Sequence, residues 1–452
     1  VTDEPVLRRR SAGILLHPTS LPDGRIGASA FAFVDFLRSA GCGVWQLLPL
    51  GPTGHARSPY SLVSAFAGAA RLLPDEVLHG KAGSARRRAD FIERERDWLH
   101  DYALFTVLKN DCSDAPWWQW PAEVRDRKPE AVAALTRRRA GDIADVFRRQ
   151  FLFSTRWEAL RRYANDRDIL LYGDLPMFPV ADSADVWVNR HLFKLDPDGR
   201  ATVTAGVPPD LFAADGQSWG NPVFDWAAMR AEGFRWWRER VRHELRRFDL
   251  LRWDHFRGLV ATWEIPRGAK TAREGEWRDV PGRQLLAALR RDLGALPLIA
   301  ENLGIITPDV ERLRRDFGLP GMHVFQFAFD GTEDNSHLPR NHETQGVAYT
   351  GTHDNDTTLG WFQSLEPEVR AGVLDETGGI ESDMPWPAIR AVLQSRAQLA
   401  VVPMQDYLAL DAAHRMNRPG IAEGNWLWQL GQGDLTEGLA MKIRESVEEA
   451  RR

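Results

Sequence analysis

Eight short apolar runs, each closed by polar, glycine or proline residues and separated by helical patterns, set the strongest limit on how this chain can fold. They lie near Ile14–His17 in GILLHPTSLP, Val44–Leu50 in VWQLLPLGP, Ile169–Tyr172 in DILLYGDLPMFP, and from Leu250 in LLRWDHFRGLVATWEIP. The series continues with LPLIAENLG around Ile299, MHVFQFAFD (322 to 330), VAYTGTHDND (Val347 to Asp356) and LAVVPMQDYL (Leu399 to Leu408). Helices are expected from about Ala30 to Ala40, with Ser29 as cap and Gly41 as stop, and from Thr307-Pro308-Asp309 to Phe317, closed by Gly318. A further helix is expected near Pro387–Arg396. Eight strands in order predict an α/β fold, a (β/α)8 TIM barrel.

The spacing of the runs is uneven, and the two long gaps predict elaborations at the C-terminal face of the strands, where barrel enzymes build their sites. One is a mostly helical insertion over about residues 51–165. The other, about 181–235, contains the Gly/Pro/Trp loop AGVPPDLFAADGQSWGNPVFDW. Residues 1–452 are read as one catalytic barrel carrying both.

Composition narrows the function classes. A net charge of −5 gives no global attraction for nucleic acid, and Arg86–Arg88 and Arg137–Arg139 read as solvated helix faces. No apolar run is long enough to cross a bilayer, so no membrane association is expected. Cys42 and Cys112 are too few for a disulfide framework or a thiolate metal site. With no apolar stretch in VTDEPVLRRRSAG resembling a secretion signal, a reducing cytoplasm is expected. Eighteen tryptophans supply many indole faces, which stack on sugar rings or bases as readily as they fill a core.

Asp254, Glu301 and Asp354 fall at the ends of the fourth, fifth and seventh predicted strands, so barrel closure would bring three carboxylates to one face. Cleaving a glycosidic bond needs one ionised carboxylate at the anomeric carbon and one protonated carboxyl at the leaving oxygen. Arg252, two residues before Asp254 and on the same strand face, would keep that carboxylate ionised, which makes Asp254 the nucleophile and Glu301 the acid. Asp354, beside His353, would bind sugar hydroxyls and help distort the ring. Two other readings stay open: strand-end carboxylates that only cap helices or pair with cations, and a metal site drawn from His255, His353, Asp354 and Asp356. The chain has no His-Glu-x-x-His spacing, no Walker-type loop and no GxGxxG.

The motifs HPTSLP, WQLLPLGPTG, SPY, GDLP, PPDLF, QSWGNP, WDHFRG, IAENLG, TGTHDNDT and EGNW occur in order along nearly the whole chain, which resembles the 4-α-glucanotransferase (amylomaltase) family. The resemblance implies a retaining transfer of α-1,4-glucan segments to the 4-hydroxyl of glucose or a maltooligosaccharide, through a covalent glycosyl-enzyme intermediate and without metal or organic cofactor. It implies Asp254 as nucleophile, Glu301 as general acid/base, Asp354 as transition-state stabiliser and Tyr60 as the ring stacking on the sugar. It also implies glucan contacts from Ser58, Asp174, Asp210, Gln217, Trp219, Arg252, His255, His353 and Asn425. An α-glucan hydrolase of the same fold and a silent glucan-binding protein are the alternatives; loss of a carboxylate would mark the latter, and all three are present.

The chain departs from the family pattern at Trp253, His55, Leu211, Ala69-Ala70, Asn302 and Ile421. Alternation along a strand turns Trp253 away from the Asp254 side, so altered packing is expected there. The other departures bear on loops and outer glucan contacts.

Overall fold

A computed structural model describes residues 6–54, 57–80, 83–209, 214–421 and 423–452. The main sheet has eight strands: β1 Ser11–Leu15, β2 Val44–Gln46, β3 Leu170–Leu175, β6 Leu250–Trp253, β9 Leu298–Ala300, β10 Gly321–Val324, β11 Gly346–Tyr349 and β12 Leu399–Pro403. Their order is β10-β11-β12-β1-β2-β3-β6-β9, with every recorded pairing parallel. The amide of Ala300 donates to the carbonyl of Pro320 at 2.8 Å, joining the two outer strands and completing the barrel. These strands fall on the eight apolar runs with shifted ends: β1 starts three residues before Ile14, and β3 runs on past Tyr172 to Leu175. Residues 47–50, 325–330, 350–356 and 404–408, expected as strand, leave the ladder; Phe325–Phe327 forms a 3-10 turn and Met404–Tyr407 a short helix.

Alternation within each strand sorts side chains into two cores. Leu15, Val44, Tyr172, Leu250, Ile299, Val347, Tyr349 and Val401 fill the barrel interior. Ile14, Trp45, Leu171, Leu251, Trp253, Ala348 and Val402 face the helices. Trp253 is fully buried and stacks on Trp237, with centroids 4.9 Å apart and planes at 20°. It thus packs in the helix layer, as strand alternation requires. Gly173 is there for space: a Cβ would come within 2.4 Å of the Phe248 ring.

The helix expected over Ala30–Ala40 spans Ala28–Ser39 and is preceded by Gly27, not by Ser29; the Ser29 hydroxyl bonds the Asp23 carboxylate instead. Thr307 stands at the cap of the helix Pro308–Asp316 but makes no side-chain cap bond, because its hydroxyl turns to Asp309. Between β2 and β3 the chain forms helices that include Arg96–Asp111 and the long Ala140–Asn165.

A second sheet is the main difference from expectation. Strands β4 Val203–Val207, β5 Gln217–Pro222, β7 Ala261–Pro266 and β8 Glu276–Asp279 pair antiparallel in the order β5-β4-β7-β8. The loop between β3 and β6 and the segment after β6 therefore fold on each other, and β5 forms an edge against the cleft. Among the described residues, no helix is long and apolar enough to cross a membrane.

Candidate active site

A cleft of about 910 Å³ opens at the C-terminal ends of the barrel strands. Asp254 and Glu301 follow directly on β6 and β9, while Asp354 stands five residues past β11 on a turn; all three line this cleft. Ser58, Tyr60, Gln217, Trp219, Arg252, His255 and Asn425 line it as well. Asp210, with Leu211, lies outside the described residues, as does His55.

Strand register builds the charged floor. Asp174 sits opposite Arg252 in the β3–β6 ladder, both one alternation above the interior residues Tyr172 and Leu250. Nη1 of Arg252 donates to both Asp174 oxygens at 2.9 and 2.8 Å and pairs with Oδ1 of Asp254 at 2.9 Å. These carboxylates hold the Arg252 pKa well above its usual value despite burial. Asp174 was expected just past its strand and in contact with ligand; it lies inside β3, and its side chain is 0 % exposed. Its carboxylate holds Arg252 and accepts the Tyr60 hydroxyl at 2.6 Å. The same hydroxyl lies 2.9 Å from Nε2 of His353, which is buried behind Tyr60 and does not line the cleft. Burial, and then Asp174, push the Tyr60 phenol well up, so it remains a neutral donor.

Glu301 lies within the electrostatic reach of Asp254 but in a different environment. Backbone amides of His255 and Leu303 donate to its two oxygens at 2.7 and 3.1 Å. Burial, with Asp254 adding to it, pushes the Glu301 carboxyl up to about 8, against the opposing pull of Arg252 and the two amides. His255 reaches its position through a left-handed backbone (φ 50°), and its ring meets Trp219 edge-on at 4.8 Å. Burial lowers the His255 pKa to about 4, which leaves the imidazole neutral near pH 7. Trp219, 37 % exposed, is the open aromatic wall of the cleft.

Asp354 is held from two sides: Nε2 of His353 lies 3.3 Å from one oxygen, and the Asn417 amide donates to the other at 2.6 Å. Burial works against its ionisation, but His353 and Asn417 prevail and hold its carboxyl well below the usual range. The turn that carries it is clamped by buried Asp406, which accepts the hydroxyls of Thr350 and Thr358, each at 2.6 Å, and the Thr358 amide at 2.7 Å. Asp406→Ala orphans three buried donors and is expected to lower the unfolding free energy by about 2–4 kcal/mol, measured in urea, and to reduce activity with it.

Asn425 lines the cleft, but its amide group is engaged by the loop it closes: it accepts from the Arg418 amide at 2.9 Å and donates to the Ile421 carbonyl at 2.7 Å. Asn417, Asp406 and Trp426 were not singled out from sequence. Asn417 sits in RMNRPG and Asp406 inside the eighth run, three residues past the strand it forms, so proximity to segments already marked was their one signal. Among the described residues no group of three or more His, Cys, Asp or Glu side chains is arranged to hold a metal ion.

Residues 16–88 and 71–434 match the model of a family described as 4-alpha-glucanotransferase. The 4-alpha-glucanotransferase of Synechocystis sp. is 42% identical, the alignment covering 96% of either chain. That of Thermus thermophilus is also 42% identical, over 98% of this chain and 99% of its own. Amylomaltase from Streptococcus agalactiae, solved in complex with acarbose, matches with a TM-score of 0.94 and 34% identity, over 98% of this chain and 100% of that one. Amylomaltase from Corynebacterium glutamicum, 16% identical with a TM-score of 0.76 over 99% of this chain and 76% of its own, shares the fold.

Proposed function

The chain belongs to the 4-α-glucanotransferase family, and from that premise we infer how its carboxylates divide the reaction between them. The activity is transfer of α-1,4-glucan segments, with maltooligosaccharides and longer α-1,4-glucans as substrates. Asp254 attacks the anomeric carbon while Glu301, protonated, donates to the departing 4-oxygen; a glycosyl ester forms on Asp254 and a shortened glucan leaves. Glu301, now a carboxylate, takes the proton of an acceptor's 4-hydroxyl as that oxygen displaces Asp254, so two inversions retain the α configuration.

The observation that carries this division is the contrast between neighbours: Asp254 ion-paired to Arg252, Glu301 pushed up to about 8 beside it. Asp354, fixed by His353 and Asn417, is the group that engages the sugar as charge develops at the anomeric carbon. Tyr60, Trp219, Gln217, Ser58 and His255 offer the aromatic and polar faces along which glucose units bind. Asp174 and Asn425 serve it indirectly, the one through Arg252 and Tyr60, the other through its loop. The insertions over about 51–165 and 181–235 wall this cleft. A reducing, cytoplasmic compartment suits Cys42 and Cys112, both free thiols.

Incubation with pure maltotriose tests the reading. Transfer yields glucose and a ladder of longer maltooligosaccharides at constant total reducing ends; a rise in reducing ends without a ladder would make the same carboxylates those of a hydrolase.

A further inference from the structure

Strand β9 ends at Ala300, so Glu301 stands one residue outside the ladder. Its backbone is tied toward β6: the Glu301 amide donates to the Trp253 carbonyl and the Glu301 carbonyl accepts the Phe256 amide, both at 3.1 Å. On the other side lies the seam between β9 and β10, where the Ala300 amide bonds the Pro320 carbonyl. A side chain makes the next rung of that seam. Oδ1 of Asn302 accepts the Met322 amide at 2.8 Å, standing where a parallel ladder would place a carbonyl. Gly321 leaves it room, since a Cβ there would come within 2.9 Å of both Oδ1 and Nδ2.

The other end of the same amide group is engaged as well. Nδ2 of Asn302 donates at 2.7 Å to Oε1 of Glu311, on the helix Pro308–Asp316. The second Glu311 oxygen accepts Nε and Nη2 of Arg314 at 3.0 and 2.7 Å. Burial works against the charge on Glu311, but Arg314 and then Asn302 hold its carboxyl below the usual value, so it is an anion served by donors. Position 302 therefore accepts from a backbone amide and donates to a carboxylate at once, which an amide side chain can do and a carboxylate cannot.

We propose that Asn302 is a positioning residue for the acid/base Glu301: its amide closes the barrel seam and moors the segment 301–303 to the helix Pro308–Asp316, keeping the Glu301 carboxyl aimed at the glycosidic oxygen. The moored segment includes the Leu303 amide, which donates to Glu301, so a backbone shift here moves the carboxyl and its donor together. A misplacement of about 1 Å at the reacting groups can cost on the order of 10²-fold in rate. Asn302 itself does not line the cleft. The proposal rests on the reading of Glu301 as acid/base.

Asn302→Asp keeps the side chain's shape and its bond from Met322, but it has no proton for Glu311 and sets two carboxylates against each other. Transfer from maltotriose is expected to fall by about 10- to 100-fold, mostly in kcat. Turnover of maltosyl fluoride with azide needs neither acid nor base, and it is expected to stay within about twofold of wild type. The double variant Asn302→Asp/Glu311→Gln moves the donor to the other partner, and maltotriose transfer should recover to within about threefold of wild type. Three results would overturn the proposal: unchanged maltotriose transfer in Asn302→Asp, an equal loss with both donors, or a double variant no better than the single one. Glu301→Gln, assayed beside them, separates the proposal from its premise. An equal loss with both donors in Glu301→Gln would sink the acid/base reading itself, whereas a split there with none in Asn302→Asp would sink only the role of Asn302.

Discussion

Asp254→Asn should lower transfer from maltotriose by on the order of 10⁴-fold or more, because the amide can neither attack the anomeric carbon nor leave as a carboxylate. The substitution keeps the side chain's shape, and Arg252 retains Asp174 as its partner, so the thermal midpoint should move little. Binding of maltotriose should persist. Mass spectrometry of the wild type with an activated glycosyl fluoride should trap a covalent sugar adduct on Asp254, and the variant should show none. Normal turnover in Asp254→Asn would transfer the nucleophile's role to another carboxylate and undo the proposed order of events.

The second large effect belongs to Glu301. Glu301→Gln removes both proton donation and proton abstraction, and transfer from natural glucans should fall by about 10³-fold or more. A maltosyl fluoride, whose leaving group needs no proton, should still load Asp254 in this variant, and azide, a nucleophile that needs no base, should release the sugar. A defect equal for fluoride and glucan donors would show that Glu301 acts through structure alone.

The same carboxyl sets a pH dependence with a definite sign. It must be protonated to donate, and burial pushes its pKa up to about 8, so kcat/KM should fall tenfold per unit as pH rises above that value. Its folded pKa is raised above the unfolded value, so its contribution to stability is full below about 4.5 and lost as pH rises through about 8. Glu301→Gln carries no charge to bury and should therefore gain stability relative to wild type at pH 9, with the difference closing toward pH 4. Urea unfolding at the two pH values measures this.

The barrel was legible because each of its strands is buried on both faces and so leaves a compact apolar run in the sequence. Ile299 and Val401 needed no neighbour to declare themselves. Asp254 and Glu301 were legible for the complementary reason, as charge placed where such a run stops. The second sheet was hidden because its strands carry no such mark: QSWGNP exposes half of its residues and contains glycine and proline. Its neighbour β4 pairs in turn with β7, which lies on the far side of β6 in the chain, and no local pattern joins the two. Asp174 and Asn425 were identified by motif, but their partners are set by register and loop closure, which no spacing along the chain encodes. Asp406 was missed because its three donors stand some fifty residues upstream, on the turn it holds.

The pairing of β1 with β12, Ser11 against Leu399, bears on the life of the chain before it is finished. During synthesis from the N-terminus, β1 has to wait with one edge open until residues 399–403 have left the ribosome. Tyr60 likewise waits for His353, and Asp354 for Asn417. A nascent chain halted anywhere before this point presents an unpaired parallel strand to its neighbours and has no complete cleft, so it is prone to aggregate and inert toward glucan. Demand on chaperones should therefore peak late in translation and fall once β12 has docked.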